Sequence, residues 1–321
     1  MAQIVRQRTA RTTTPLRSRA AVRNMLEPVS LTPADLSMVL LVTAEAADSG
    51  LTTATVTELP KLVTACEALG IRSVKLFAEG TDRSATGESS VHENSLMAQA
   101  IAAIKETAPA LAVMTETCLC SYTLDGTCYV TSSDGLPDVA ATLDVTARQA
   151  VAHADAGADI IGPASMMLGT TGAARRALDE AGYDNVSVMP HVIFWSNLYD
   201  GFRQAMGATP KVGHNREFQV NPVRADQFID AALRMESDGA DMLLLEPAFA
   251  TADVLGELKT RTLAPIFPFS VSGEYTTLAP LDAGTDKRDL RLLVELYTML
   301  KRAGATAVVT YAAVEIARTL I

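Results

Sequence analysis

The sequence predicts an α/β chain folded as a (β/α)8 TIM barrel with an extended basic N-terminal arm. Three observations predict it. One junction recurs: a helical stretch closes in glycine, a polar residue or two follow, and an apolar run begins, as in CEALGIRSVKLF, AHADAGADIIG, LDEAGYDNVSVM, RMESDGADMLLL and LKRAGATAVVT. Glycine accepts the left-handed conformation that ends a helix, which other residues resist. The apolar runs are short and continuous, the pattern of strands covered on both faces. Eight such runs alternate with helical stretches in 321 residues, and that many strand–helix units in one chain close into a barrel. A doubly wound open sheet is the alternative, but no glycine-rich phosphate fingerprint follows the first strand.

In order, the strands are expected near Met38–Thr43, Val74–Ala78, Leu111–Thr115, Asp159–Pro163, Val186–Ile193, Met242–Leu245, Pro265–Val271 and Ala307–Tyr311. Helical stretches follow at Val56–Leu69, Ser95–Thr107, Leu143–Ala156, Gly172–Ala181, Asn197–Met206 with Ala225–Ser237, Thr251–Thr260, Arg288–Ala303 and Val314–Leu320. Residues 1–30 form the arm and 31–321 the barrel. The arm carries Arg6, Arg8, Arg11, Arg17, Arg19 and Arg23 with no acid before Glu27. Transit peptides share that composition, but the reading adopted is an arm able to grip an acidic neighbouring subunit.

The apolar fraction of 48% suffices for a large core. A formal charge of −10 argues against nucleic acid as a main partner. No run of about 18 uncharged apolar residues suggests a membrane span, and with no export signal the expected compartment is the reducing cytoplasm. Four cysteines in a chain this long do not read as a disulfide framework.

Three of those four cysteines fall in one stretch, TETCLCSYTLDGTC. Cys118 and Cys120 lie just past the third strand, and Cys128 returns after the Asp125–Gly126 turn. On a barrel the chemistry sits where strands end and the following loops begin. Three thiolates converging there can bind Zn²⁺ and leave a fourth position open. The spacing is not that of a zinc finger, and the competing reading is three small buried residues.

TETCLCSYTLDGTC resembles the zinc loop of the porphobilinogen synthase (5-aminolevulinate dehydratase) family. AIAAIKETAPALAVMTETCLC, QAVAHADAGADIIGPASMM, GAARRALDEAGY, SDGADMLLLEPA, FSVSGEYTTL and LKRAGATAVVTYAAVE also resemble that family's segments, in its order, across roughly residues 30–320. The resemblance implies a (β/α)8 barrel, a homo-oligomer (octamer, hexamer or dimer) whose arms wrap neighbours, and Zn²⁺ at the three cysteines. It implies a small carboxylate-bearing substrate, and an allosteric Mg²⁺ site near Glu236.

The sequence departs from the family where two lysines do the central work. The first lysine position falls on Phe194 in MPHVIFW, and the second on Glu246 in LLLEPA. Of seven lysines in all, only Lys75 lies on a predicted strand. A Schiff base needs an amine, and neither phenyl nor carboxylate supplies one. Two family acids become Ser165 and Leu168, and an arginine position becomes Asn215, with Arg216 one residue on. The positions that persist are Cys118, Cys120 and Cys128, Arg203 and Gln219 on the substrate flap, and Ser272 and Tyr311, which in the family hold a carboxylate.

Glu116, two residues before the first thiol, is a candidate acid–base or zinc-side residue. Glu246 ends an apolar strand where an unpaired charge is costly, so a raised proton affinity and an acid–base role are expected. Arg203 and Arg216 suit a carboxylate, while Phe194 reads as an apolar wall. Strand alternation aims His191 opposite to Phe194. The function these readings support is a zinc-dependent lyase acting on a carboxylate-bearing carbonyl substrate by condensation, dehydration or cyclisation, without a lysine imine, in a specialised pathway. The alternative is a non-catalytic paralogue that binds metal or metabolite in a regulatory or scaffolding role.

Overall fold

The computed structural model describes residues 18–26, 31–47, 50–211, 217–282, 284–285 and 287–320. The chain divides into two compact units, residues 1–31 and 32–321. In the first, Ala20–Leu26 forms one short helix with no buried side chain. The arginines expected to make the arm basic lie, except for Arg19 and Arg23, outside the described residues.

The second unit is a parallel barrel. Its strands are β1 (Leu36–Val42), β2 (Ser73–Ala78), β3 (Ala112–Thr117), β4 (Ile160–Pro163), β5 (Ser187–Val188), β6 (His191–Ile193), β7 (Leu243–Glu246), β8 (Ile266–Ser270) and β9 (Val308–Thr310). The hydrogen-bonded order runs β5-β4-β3-β2-β1-β9-β8-β7-β6. Its two ends, β5 and β6, are halves of one segment, split at Pro190, which has no N–H to give a ladder. Met189 N donates to Ile161 O on one side (2.8 Å), and Leu244 N donates to Pro190 O on the other (3.1 Å). The ring therefore closes through the fifth strand.

The recurrent junction works as its sequence implies. Gly70, Gly157, Gly182, Gly239 and Gly304 all have positive φ, between 84° and 115°, where each closes a helix. The helices α1 (Leu59–Ala68), α2 (Leu96–Thr107), α3 (Val139–Asp155), α4 (Thr170–Glu180), α5 (Ala225–Ser237), α6 (Ala252–Leu258), α7 (Arg291–Ala303) and α8 (Ala313–Thr319) lie between the strands. The last helix of the expected set is α8, matching the Val314–Leu320 stretch to within a residue. α1 and α7 each present an apolar stripe to the sheet. On α7 it is Leu293, Leu296, Tyr297 and Leu300, the i, i+3, i+4, i+7 spacing of an amphipathic helix. On α1 it is Leu59, Val63 and Cys66. Cys66 is thus a core residue, and burial pushes its thiol up to about 11, which leaves it inert.

Most boundaries shift by one to three residues, and the largest shift is at the start of α3. α3 starts at Val139 rather than Leu143, because Asp138 caps it by accepting from Ala141 N (3.0 Å). No helix among the described residues is long and apolar enough to cross a membrane.

Candidate active site at the mouth of the barrel

A cavity opens at the C-terminal ends of the strands, where a barrel places its chemistry. It holds about 60 Å³ of water-accessible space. A single water needs roughly 10–15 Å³ by that measure, so the space suits one small molecule and not a nucleotide-sized cofactor.

One wall is the cysteine loop. The sulfurs of Cys118, Cys120 and Cys128 lie within 4.8 Å of one another, and Cys118 Sγ donates to Cys120 Sγ at 3.4 Å. Hydrogen bonds from Cys118 and Cys128 hold the Cys120 thiol well below its usual range, helped by the guanidinium groups of Arg203 and Arg83. Several contacts fix the loop. Gln149 Nε2, from α3, donates to Cys118 O (3.1 Å). Lys211 N donates to Asp125 O (2.7 Å). A side chain at Gly126 would meet Thr209 O at 2.6 Å, so only glycine permits that approach. Three convergent, largely buried thiols are a donor set that could hold a soft or borderline metal ion. Among the described residues no other group of three such side chains comes together, and Glu236 accepts from Thr262 Oγ1 (2.7 Å) instead.

Arg203 lines the cavity from the short helix Asp200–Ala205. Its guanidinium lies over the Tyr199 ring (5.5 Å) and 3.5 Å from Asp200 Oδ1. Ser272 also lines the cavity, but its hydroxyl is engaged: it accepts from Phe202 N (3.0 Å) and donates to Leu198 O (3.1 Å). It pins the segment that carries Arg203. The Tyr311 hydroxyl and Gln219 Oε1, both on the lining, are buried and find no partner among the described residues. Such orphaned polar atoms mark where a ligand or water would bind.

Glu116 and Glu246 face the cavity from the ends of β3 and β7. Burial pushes the Glu246 carboxyl up to about 8, against the pull of Lys75. Burial also raises Glu116 well above the carboxylate range. His191 Nδ1 sits 2.8 Å from Glu246 Oε1. Below them Lys75 is fully buried and donates to Thr115 O (2.8 Å). None of the seven lysines lines the cavity.

Phe194 requires a correction. It does not line the cavity: its ring stacks outward on Phe228 of α5 at 4.1 Å, buried in the layer between strand and helix. The inward residue is its neighbour Ile193, because successive side chains on a strand point to opposite faces. Neither carries an amine, so the chemical consequence of the lost lysine stands. Arg216 lies outside the described residues. Two contributors had escaped notice in the sequence. Arg83 bonds the carbonyls of Cys120 (3.4 Å), Thr123 (3.3 Å) and Met206 (3.0 Å), and nothing in TDRS signals that strap. Ile193 was hidden by a one-residue ambiguity of register.

A closed parallel barrel with a small, largely apolar cavity that carries a few convergent polar groups, and a triple-thiol loop at its mouth, defines the class: a TIM-barrel protein with its candidate site at the strand C-termini. The delta-aminolevulinic acid dehydratase family model matches residues 9–319. The Escherichia coli enzyme of that name is 36% identical over 316 residues, covering 95% of this chain and 96% of its own. The Halalkalibacterium halodurans enzyme is 36% identical over 256 residues, covering 79% and 77%. The Toxoplasma gondii enzyme, solved with its product porphobilinogen, superposes with a TM-score of 0.89 at 28% identity, over 97% of this chain and 92% of its own. The chain belongs to the delta-aminolevulinic acid dehydratase family, whose enzymes are lyases.

Proposed function

We propose that this member is a zinc-dependent lyase that acts on a small carboxylate-bearing carbonyl substrate without a lysine imine, and does not form porphobilinogen. The observation that carries the reading is the cavity lining: Ile193 and Glu246 stand at the ends of the strands where the family's two lysines fall, and none of the seven lysines lines the cavity. An imine serves as an electron sink only if an amine can reach the substrate carbonyl.

Cys118, Cys120 and Cys128 would hold the zinc, which when bound supplies Lewis acidity toward a carbonyl oxygen or acidifies a water. Arg203 grips the substrate carboxylate through its planar fork. Tyr311 and Gln219 present their unpartnered polar atoms to the substrate's oxygens or amine. Ile193 and Phe77 exclude water from the floor. Glu246, held near neutral proton affinity, donates or accepts a proton at its Oε atoms, and Glu116 does so beside the thiols. A Mg²⁺ at a separate site near Glu236, a homo-oligomer and a cytoplasmic location in a specialised biosynthetic pathway belong to the same proposal.

The test is direct. Protein loaded with zinc and given 5-aminolevulinate is expected to yield no pyrrole, and borohydride is expected to trap no adduct. A trapped adduct on any lysine, or pyrrole formation at a rate comparable to the Escherichia coli relative, overturns the reading.

A further inference from the structure

Two walls of the cavity meet through one side chain. Residues 80–84 are laced into the thiol loop: Ser84 N donates to Tyr122 O (3.1 Å), and Leu124 N donates to Ser84 O (3.1 Å). A Cβ built at Gly80 would fall 1.9 Å from Ser121 O, so the two backbones touch there. Arg83 is therefore fixed to the loop, and its guanidinium carries the contact onward. Nη1 donates to Cys120 O (3.4 Å) and Thr123 O (3.3 Å), and Nη2 donates to Met206 O (3.0 Å). The fork is planar and rigid, so a displacement of the loop carbonyls is passed to Met206. Met206 belongs to the Arg203 segment: its N–H donates to Phe202 O (2.9 Å), and Ala208 N donates to Arg203 O (2.8 Å). Gly207, at φ 58°, makes room for the guanidinium, since a Cβ there would lie 2.7 Å from Nη2. The other end of the segment is held by Ser272, whose hydroxyl bonds Phe202 N and Leu198 O. Arg203 thus sits on a short strut, anchored by Ser272 on one side and tied to the thiol loop by Arg83 on the other.

We propose that Arg83 is a positioning residue that makes the thiol loop and the Arg203 strut one unit, so that a metal ion on the thiols orders the carboxylate grip and a carboxylate on Arg203 steadies the metal in return. An ion that draws three sulfurs to one centre fixes the backbone of Cys120, and Arg83 hands that constraint to the strut. Part of the freedom that Arg203 must lose to hold a carboxylate is then already lost, which raises affinity without a new contact. The coupling is reciprocal by thermodynamic necessity. The inference rests on the reading of the thiols as a zinc site and of Arg203 as the carboxylate grip. Arg83 does not itself line the cavity, so it acts through the groups it holds.

A second crossing joins the same two regions. Lys211 N donates to Asp125 O (2.7 Å), and Gly126 closes on Thr209. That crossing meets the chain beyond Ala208 and constrains residues 209–211, whereas Arg83 reaches the end of the helix that carries Arg203. The two routes are told apart by where along the chain a metal ion has its effect.

Amide hydrogen exchange of the whole protein, zinc-free and zinc-saturated, tests the coupling without any reaction. Fragments that separate residues 200–208 from 209–211 are read by mass spectrometry. Zinc is expected to slow exchange at Met206 and Ala208 by about fivefold or more. In Arg83→Met at saturating zinc, the slowing at 200–208 is expected to vanish while that at 118–128 and 209–211 stays. Arg83→Lys, one compact ammonium in place of a fork, is expected to bind zinc and still lose most of the slowing. Titration with 4-oxopentanoate is the second arm. Zinc is expected to tighten it by a factor at least about fivefold larger in the wild type than in either variant. A direct contact between ion and ligand would act equally in all three proteins, so the difference belongs to Arg83. Wild-type amides at 200–208 that exchange equally fast with and without bound zinc overturn the proposal, even if neither variant folds. Slowing retained in either variant, or an equal gain for 4-oxopentanoate, overturns it too. A protein that takes up no zinc, or no 4-oxopentanoate, sinks the reading of the site instead, so the two failures are separable.

Discussion

At the scale of single residues, position 194 shows how much a strand register decides. The stretch MPHVIFW contains adjacent apolar residues, and sequence alone assigns the lysine's place to Phe194. Side chains alternate, so a slip of one residue exchanges the cavity face for the helix-facing one. Pro190 breaks the ladder within that stretch and removes the regular alternation that would have settled it. Phe194 is therefore a packing residue. Phe194→Ala is expected to lower stability by about 3–5 kcal/mol, the usual cost of emptying a buried phenylalanine site. Ile193→Ala, at the cavity wall, should cost less stability and change ligand binding more. Thermal denaturation and ligand titration of the two variants check this, and equal binding defects would contradict it. The cysteines, Arg203 and both glutamates were legible because their chemistry is tied to residue type. Lys75 was visible as the one lysine on a strand, but its depth and its neighbour His191 depend on contacts between residues far apart in the chain.

At the scale of elements, the thiol loop is held from outside itself. Its geometry depends on α3 through Gln149, on the Gly126–Thr209 approach, and on Arg83, which ties the loop to the segment carrying Arg203. Groups that orient ligands in this way typically change metal affinity by about 10–100-fold when removed. Arg83→Met is expected to weaken zinc binding by at least about tenfold while leaving the barrel's secondary structure intact. Competition with a zinc-responsive chelator measures it, and unchanged affinity would show the strap to be incidental. Cys120→Ser is expected to abolish stoichiometric zinc. The start of α3 shows the limit of periodicity: Asp138 after Pro137 is a cap signal, but the apolar pattern becomes regular only near Leu143, so the first turn went unread. Asp138→Ala should cost about 1 kcal/mol.

At the scale of the whole molecule, five repeats of one junction among eight strand–helix units made the barrel legible, since each repeat states the same local rule and no tertiary contact is needed to read it. What no local rule could show is how the barrel interior manages its charges, and that interior sets the response to pH. His153, on α3, is buried against Thr115 Oγ1 (3.0 Å), and burial with the nearby Lys75 lowers its proton affinity to about 3. The unfolded chain then binds more protons than the folded one below about pH 6.5, so acid destabilises, by an amount on the order of 5 kcal/mol if fully expressed. Glu246 runs the other way. Its folded value of about 8 lies above the ordinary 4.5, so the folded chain binds the extra proton and stability falls as pH rises from 4.5 through 8. Burial raises Glu116 and Glu274 as well, the latter to about 7, and lowers His191 as it does His153, so between pH 4.5 and 6.5 the slopes of the carboxyls and the histidines oppose each other and the net dependence is shallow. Above pH 8, Lys75, lowered to about 8, loses its proton in the fold before the unfolded chain does, which restores part of the loss. Melting temperature against pH should therefore be flat near pH 5–6, fall toward pH 8, and level off or recover beyond it. Glu246→Gln should remove part of the decline on the alkaline side, chiefly its portion nearest pH 8, since Glu116 and Glu274 contribute the rest, and His153→Gln should soften the acid limb. A wild-type protein most stable at pH 8, with a Glu246→Gln profile parallel to it, would mean that the carboxylate is held ionised in the fold by more positive charge than Lys75 and Arg203 supply.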